Sequence, residues 1–321
     1  MKVYLVVLNW NGKDFIEDCL DSLQKQTYSS EIIVVDNGSS DGSLETVEQK
    51  YPDIYLLKEP KNRGFAGGVN IGIKHAMRKG ADAVALFNND AIADKEWLAE
   101  LVKTMENKPG TGIVTSKLMR SNKKHFDSTG DFYSTRGMPF PRGRNRVDKG
   151  QYDEPGNVFG ASGGASLYRC SALKEIGLFD ERFFAYYEDV DISFRTQLAG
   201  WRVYYQPKAV AYHRLSGTSS KLGNFAHFHS NKNFYFLYLK NMPGRLFIKF
   251  LPLFLYQALR SAASSIIHLR ILSYLKALFF VIVYLPAVLL ARRKIQKSRK
   301  VSVDYIESLL YHSKPPVIPK L

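Results

Sequence analysis

The chain is poor in cysteine, and its last quarter is nearly devoid of acid. Only Cys19 and Cys170 occur in 321 residues, and neither sits in a Cys-x-x-Cys or Cys/His spacing. That removes a disulfide framework and a zinc site from consideration and fits a reducing compartment. Between residues 240 and 321, fourteen Lys and Arg face only Asp304 and Glu307, so this stretch carries +12 of the net charge of +15. The same stretch lacks aromatics spaced among its cations. Its apolar residues come in long blocks, which speaks against nucleic acid as a partner and for an anionic membrane surface. No Gly-x-Gly-x-x-Gly follows the first strand-like run, so a dinucleotide oxidoreductase loses its main support. At the amino end, "MKVYLVVLNW" places one Lys before about six apolar residues, too few for a signal-peptide core, and reads as a first strand.

What is present is 45% hydrophobic and 13% aromatic, enough for one large domain and an appendage. Apolar runs "VYLVVL" (3–8), "EIIVVD" (31–36), "IYLLK" (54–58) and "AVALF" (83–87) alternate with amphipathic stretches. The alternation predicts a mostly parallel α/β sheet covered on both faces. Ile16, Cys19, Leu20 and Leu23 share a helical face behind Asn11 as a cap; a second helix is expected to start through Ser40 or Asp41. Further helices are expected over about 67–78 and 95–105. Ligands of such sheets bind beyond the carboxyl ends of the strands, where Asp36 and Asp90 fall.

Four motifs carry chemistry. In "EIIVVDNGSSDGS", Asp36 suits a nucleoside base or ribose, or more plainly caps a turn. In "NRGFAGGVN" (62–70), the glycines allow close approach of the backbone to a ligand, Arg63 can meet phosphate, and the helix start favours anions. In "FNNDA", Asp90 is a hard oxygen ligand for Mg2+ or Mn2+ shared with a diphosphate, while Asn88 or Asn89 steers the loop or touches sugar; an ordinary Asx turn is the plainer reading. In "FFAYYEDVDISF", Val190, Phe194 and Leu198 place a helix start at Glu188, Asp189 and Asp191. Capping explains one such carboxylate, not three, and the helix dipole should keep Asp189 ionised as a general base. His213 ends another apolar strand, within reach of a metal or phosphate, although a lone His is more often structural. The segment 117–157, with Arg136, Arg142, Arg144 and Arg146, reads equally as an acceptor-facing region or a solvated surface loop. "FGASGGAS" (159–166) offers small residues for donor approach or for close strand packing.

The ordered set "VVLNWNG", "IIVVDNGSSDGS", "NRGFAGGVNIGI", "LFNNDA", "GLFDERFFAYYEDVDISFR" and "GWRVYYQPKAVAYH" resembles family 2 glycosyltransferases, in particular their rhamnosyltransferase-like branch, over residues 1 to about 220. The resemblance implies a GT-A fold, a nucleotide-diphosphate sugar donor (dTDP-rhamnose or a UDP-sugar) and inverting transfer to a hydroxyl of a glycan or lipid-linked glycan. It assigns Asp36 to the nucleoside, Asp90 to the metal, His213 to the metal or diphosphate, and Asp189 to the base; Asn9, Asn62, Arg63, Gly64, Asn88 and Asn89 are expected around the nucleotide sugar, with Glu188 beside Asp189 in catalysis and His213 as the second metal ligand. Asn88 departs from the family, where Asp is common at that first position.

The tail blocks "LFIKFLPLFLYQAL" (246–259) and "ILSYLKALFFVIVYLPAVLLA" (271–291) precede "RRKIQKSRK". The second is long enough to span a bilayer, but Lys276 and Pro286 weaken a span. In-plane attachment to the cytoplasmic face is favoured, with a homodimer through the tail as the competing use. The expected division is therefore a GT-A domain over 1–230 and a membrane-associated helical extension over 231–321. A catalytically idle nucleotide-sugar-binding subunit that recruits partners to the membrane is the alternative to an enzyme.

Overall fold

The computed structural model describes residues 1–214, 223–316 and 318. Strands β1 (Val3–Asn9), β2 (Glu31–Asn37), β3 (Tyr55–Glu59) and β4 (Ala83–Asn88) pair in parallel in the order β4-β1-β2-β3. Beyond β4 the sheet continues through β11 (Ala165–Arg169), β6 (Thr111–Arg120), β12 (Arg202–His213) and β10 (Gly156–Asn157). β11 runs antiparallel to both its neighbours, whereas β12 lies parallel to β6. The expected mostly parallel sheet is thus present with β11 inserted in reverse and β10 reversed at its edge. Short β5 (Ala91–Ala93) and β7 (Phe126–Ser128) join β12 and β6, and β8 (Asp131–Tyr133) pairs with β9 (Pro139–Pro141).

Each face has its own core. Val3, Leu5 and Val7 of β1 meet α1 (Ile16–Gln24), α2 (Ser43–Lys50) and α4 (Trp97–Asn107). Tyr4 and Val6 meet α3 (Gly64–Arg78), α5 (Cys170–Ile176) and α6 (Glu188–Leu198). A strand apolar on both faces is what a doubly covered sheet requires.

Local details differ from the sequence reading. Asn11 is not the cap of α1, which starts at Ile16; it has φ 51°, a turn conformation that Asn tolerates, and its Oδ1 accepts the Ser40 N–H at 2.8 Å. Asp41, not Ser40, steers α2, accepting the Ser43 N–H at 3.0 Å. α3 begins at Gly64 and α4 at Trp97 rather than at 67 and 95. Gly68 and Gly72 do not serve a ligand: a Cβ there would stand 2.2 Å from Leu8 Cδ1 and 2.4 Å from Val6 Cγ1, so they let α3 lie directly on β1. Segment 117–157 is not a solvated loop, for Phe126, Asp127, Ser128, Asp131 and Tyr133 are buried in it.

A third core joins the body to four helices, α7 (Gly223–Asn241), α8 (Gly244–Ile267), α9 (Ile271–Lys297) and α10 (Val303–Leu309), through residues such as Phe183, Phe194, Phe236, Leu246 and Val281. The boundary expected after residue 230 falls inside α7. Fully buried Asp191 receives Lys240 Nζ and Arg195 Nε, each at 2.9 Å, and Asn241 Nδ2 at 2.8 Å, so α7 is bolted to α6. Helices α8 and α9 are long and apolar enough to cross a membrane by length and composition, and only 22% of each apolar window is buried.

Candidate active site

Three ladders converge at the carboxyl ends of the strands. β5, which the sequence reading took for part of a turn, pairs with β12 so that Ala91 faces His213, and the Arg214 N–H donates to the Asp90 carbonyl at 2.8 Å. Asp90 Oδ1 and His213 Nε2 therefore stand 2.9 Å apart. β6 carries β7 alongside, which brings Asp127 Oδ2 to 2.9 Å from His213 Nδ1. Asn88 Nδ2 lies 3.3 Å from the same Nε2. Burial alone would lower the imidazole pKa, but the hydrogen bonds to Asp127 and Asp90 reverse this and push it up to about 9. Burial would likewise raise Asp127, yet His213, Arg144 and Arg120 hold it below the ordinary carboxylate value.

This arrangement fits a divalent cation. Asp127 fixes Nδ1 and leaves Nε2 directed at Asp90, which is how a histidine ligand is commonly oriented from behind. Among the described residues no group of three or more His, Cys, Asp or Glu is placed to hold a metal by itself. Two protein ligands need completion by phosphate oxygens and water, as hard cations at nucleotide sites accept.

Beside this cluster opens a cavity of about 880 Å3. Asn88, Gly163, Gly164, Asp127, Asp131, Arg144, Glu188 and Asp189 are among the residues that line it. Asp189 Oδ2 accepts the Gly163 N–H at 3.0 Å, and Oδ1 accepts the Val190 N–H at 2.9 Å. Contrary to the dipole argument, the Asp189 pKa is raised: burial outweighs those N–H groups. Glu188 is raised well above its ordinary value by burial and then by the Asp189 charge, and its Oε2 has no hydrogen-bond partner among the described residues. Asp191 turns away from the cavity to Lys240, so the three carboxylates of the first turn do not act together.

The segment before α6 is strained. Phe184, Tyr186 and Tyr187 have φ of 66°, 68° and 68°, which bulky residues rarely adopt. Asn233 of α7 restrains them, its Nδ2 reaching the carbonyls of Phe183, Ala185 and Tyr186 at 3.0, 2.9 and 2.7 Å. The Phe184 carbonyl in turn accepts the Ala66 N–H at 3.2 Å and covers the start of α3, which is therefore not an open anion site. Gly64, at φ 72°, has room for no side chain there: a Cβ would meet that carbonyl oxygen at 2.3 Å.

The remaining expected residues form two networks outside the cavity lining. Asn9 is fully buried, and its Nδ2 reaches Asp36 Oδ1 at 3.1 Å and Ser43 Oγ at 2.8 Å, while its Oδ1 accepts from Asn89 Nδ2 at 2.9 Å. Asp36 also accepts the Ser39 N–H at 3.1 Å. It holds its own turn, and further lone pairs remain for a ligand. Asn62 Oδ1 accepts the Gly64 N–H at 2.7 Å and an N–H of Asn37 at 3.0 Å, and Asn37 Oδ1 accepts the Arg63 N–H at 2.9 Å. The Arg63 side chain is half-exposed and paired with Glu59.

Sequence reasoning missed Asp127, Asp131, Asn37 and Asn233. Asp131 is 5% exposed and its pKa is pushed up to about 8, first by burial and then by the Asp189 charge. The available signal was "HFDSTGD", two carboxylates four residues apart around small residues, in a segment read as aperiodic.

Comparison with known proteins gives consistent likenesses. The sequence model of Glycosyl transferase family 2 matches residues 4–177. An N-acetylglucosaminyl-diphospho-decaprenol L-rhamnosyltransferase of Mycobacterium tuberculosis is 27% identical over 254 residues, 73% of this chain and 83% of the relative. A poly-beta-1,6-N-acetyl-D-glucosamine synthase of Staphylococcus aureus is 28% identical over 209 residues, which are 63% of this chain but only 47% of that protein. Among solved structures, S. aureus TarS 1-349 in complex with UDP-GlcNAc aligns with TM-score 0.60 at 18% identity, over 93% of this chain and 91% of that one. The mannosyltransferase of Pyrobaculum calidifontis in complex with GDP-Man and Mn2+ aligns with TM-score 0.56 at 18% identity, over 96% and 83%. These two share the fold.

Proposed function

The chain belongs to glycosyl transferase family 2 and is a glycosyltransferase of GT-A fold; we propose that it transfers a sugar, rhamnose in our reading, with inversion, from a nucleotide-diphosphate donor to a hydroxyl of a lipid-linked glycan at the cytoplasmic membrane surface. The observation that carries this is Asp189, held at the mouth of α6 in a cavity that also reaches Asn88 and Asp127 beside His213 and Asp90. Asp189 accepts the proton of the acceptor hydroxyl as that oxygen bonds to the anomeric carbon. The bond from that carbon to the diphosphate oxygen breaks, and the nucleoside diphosphate leaves with the electron pair. Asp131 lines the same cavity, and burial and then the Asp189 charge raise its pKa. Asn9, Asp36, Asn62, Arg63 and Gly64 belong to the nucleotide end of the donor in this reading, and Asn88 and Asn89 to its sugar. Mg2+ or Mn2+ held by Asp90 and His213 would neutralise charge on the leaving diphosphate.

The rhamnose preference and the lipid-linked acceptor draw on the mycobacterial relative. Membrane attachment draws on the outward apolar surfaces of α8 and α9, where Leu259 is 70% and Leu272 80% exposed. The test is a panel of nucleotide sugars incubated with lipid-linked glycans, the products weighed by mass spectrometry. Transfer from dTDP-rhamnose that stops in excess chelator and returns with Mg2+ or Mn2+ is expected. Turnover of no donor in the panel would defeat the reading, and full activity in chelator would remove the metal from it.

A further inference from the structure

The cavity is also lined by cations that the transfer chemistry does not use. Arg144 lines it from the body, and Gln257 and Arg260 of α8 together with Lys314 line it from the tail. Arg144 has Asp127 Oδ1 at 3.5 Å and also lies in the field of the Asp131 carboxyl, whereas neither Arg260 nor Lys314 has an acidic partner among the described residues. Arg136 adds a fourth cation: its guanidinium and that of Arg260 lie 5.3 and 5.9 Å from the centre of one ring, Tyr256. Arg136, Arg260 and Lys314, without matching acids among the described residues, repel one another and Arg144, and an anion between them relieves that repulsion. Guanidinium groups suit phosphate oxygens in particular, because they donate in parallel pairs.

Their position says which anion. They line the same cavity as the Asp189 carboxylate, and the helix that supplies Arg260 carries exposed Leu255 and Leu259. The molecule thus combines a proton acceptor, cations and an apolar helix surface at one cavity. A sugar joined through a diphosphate to a hydrocarbon chain offers a counterpart to each. Building on the transfer reading above, we infer that Arg144, Arg260 and Lys314 form a binding site for the diphosphate of a prenyl-type acceptor lipid, with the prenyl chain laid along the exposed face of α8. Tail helix and catalytic body thus share one substrate, which accounts for the core they share. Arg260 and Lys314 come from the tail rather than from the Asp90–His213 cluster, which Arg144 approaches through Asp127.

The test uses the full chain in phosphatidylcholine nanodiscs, titrated with farnesyl diphosphate as probe and with farnesol and UDP as comparators. Farnesyl diphosphate is expected to bind at least about tenfold more tightly than farnesol, a difference of about 1.4 kcal/mol. Arg260→Ala with Lys314→Ala should weaken that binding by at least about tenfold and leave UDP binding unchanged. Equal binding by wild type and double variant overturns the site. So does displacement of the probe by UDP, which would put it in the donor site, and so does equal competition by phosphatidylglycerol, which would make the cations a general headgroup contact. Should UDP and nucleotide sugars neither bind nor turn over while the probe binding still depends on Arg260 and Lys314, the transfer reading falls and the lipid-diphosphate site stands.

Discussion

Asp189 and Asp131 line one cavity, and burial raises both, but only Asp189 has backbone N–H groups opposing the rise. On the proposed mechanism the ionised carboxylate accepts the proton, so Asp189→Asn keeps the shape and removes the acceptor. Turnover is expected to fall at least about a hundredfold while nucleotide binding by calorimetry is preserved. A comparable loss in Glu188→Gln with an active Asp189→Asn would transfer the role to Glu188. Asp131 gives a separate prediction for stability. Its folded pKa of about 8 stands above the ordinary 3.8, so the folded chain keeps a proton that the unfolded chain releases. Its contribution is complete below 3.8 and is lost as pH rises through about 8. Asp131→Asn remains neutral throughout, so its melting temperature should gain on wild type between about pH 5 and about pH 8. A pH-independent difference would mean that Asp131 is ionised in the folded chain.

Helix α7 belongs energetically to the catalytic body. Asn233 restrains three carbonyls of the strained 183–187 segment, and Lys240 and Asn241 meet the buried Asp191. Asn233→Ala leaves those carbonyls without that partner, and buried polar groups left unmade cost about 1–3 kcal/mol. The expected result is that loss in urea unfolding, with turnover reduced more than UDP affinity because Asp189 follows directly on the loosened segment. Unchanged turnover would show that α6 holds Asp189 without help. Truncation before residue 240 removes Lys240, Asn241 and much of the third core. That variant is expected to be insoluble or unfolded by circular dichroism; a folded, nucleotide-binding product would show that the body is independent of its tail.

The whole molecule presents two unlike surfaces. One is the nearly neutral body, and the other is the outward side of α8 and α9 with Ile267 75% and Ile282 69% exposed, in a tail that carries +12. On the proposed membrane attachment, apolar burial and attraction to anionic lipid would act together there, the second at about 1 kcal/mol per Lys or Arg close to the surface. The full chain should sediment with phosphatidylglycerol vesicles, resist a moderate salt wash in part, and come off with detergent or alkaline carbonate. A soluble monomer without detergent, indifferent to those vesicles, would assign the apolar faces to another chain.

Much of this was legible before any coordinates. The alternation of "VYLVVL", "EIIVVD" and "AVALF" with amphipathic stretches determined the sheet and its two covers, because strand and helix periodicities are local properties of the chain. Asp90, Asp189 and His213 drew notice as candidates because each stands at or next to the end of a strand or helix, and the structure brings Asp90 and His213 together. The third core, the Asp191–Lys240 contact and the part played by Asp127 and Asp131 were decided only by the tertiary structure. Asp127 lies 86 residues from His213 in sequence and reaches it through two strand pairings, β6 with β12 and β6 with β7, and nothing local announces such a register. Burial decided the rest. A carboxylate at a helix start reads as ionised in sequence, but its charge state depends on the solvent that distant segments exclude, and only the folded chain sets that.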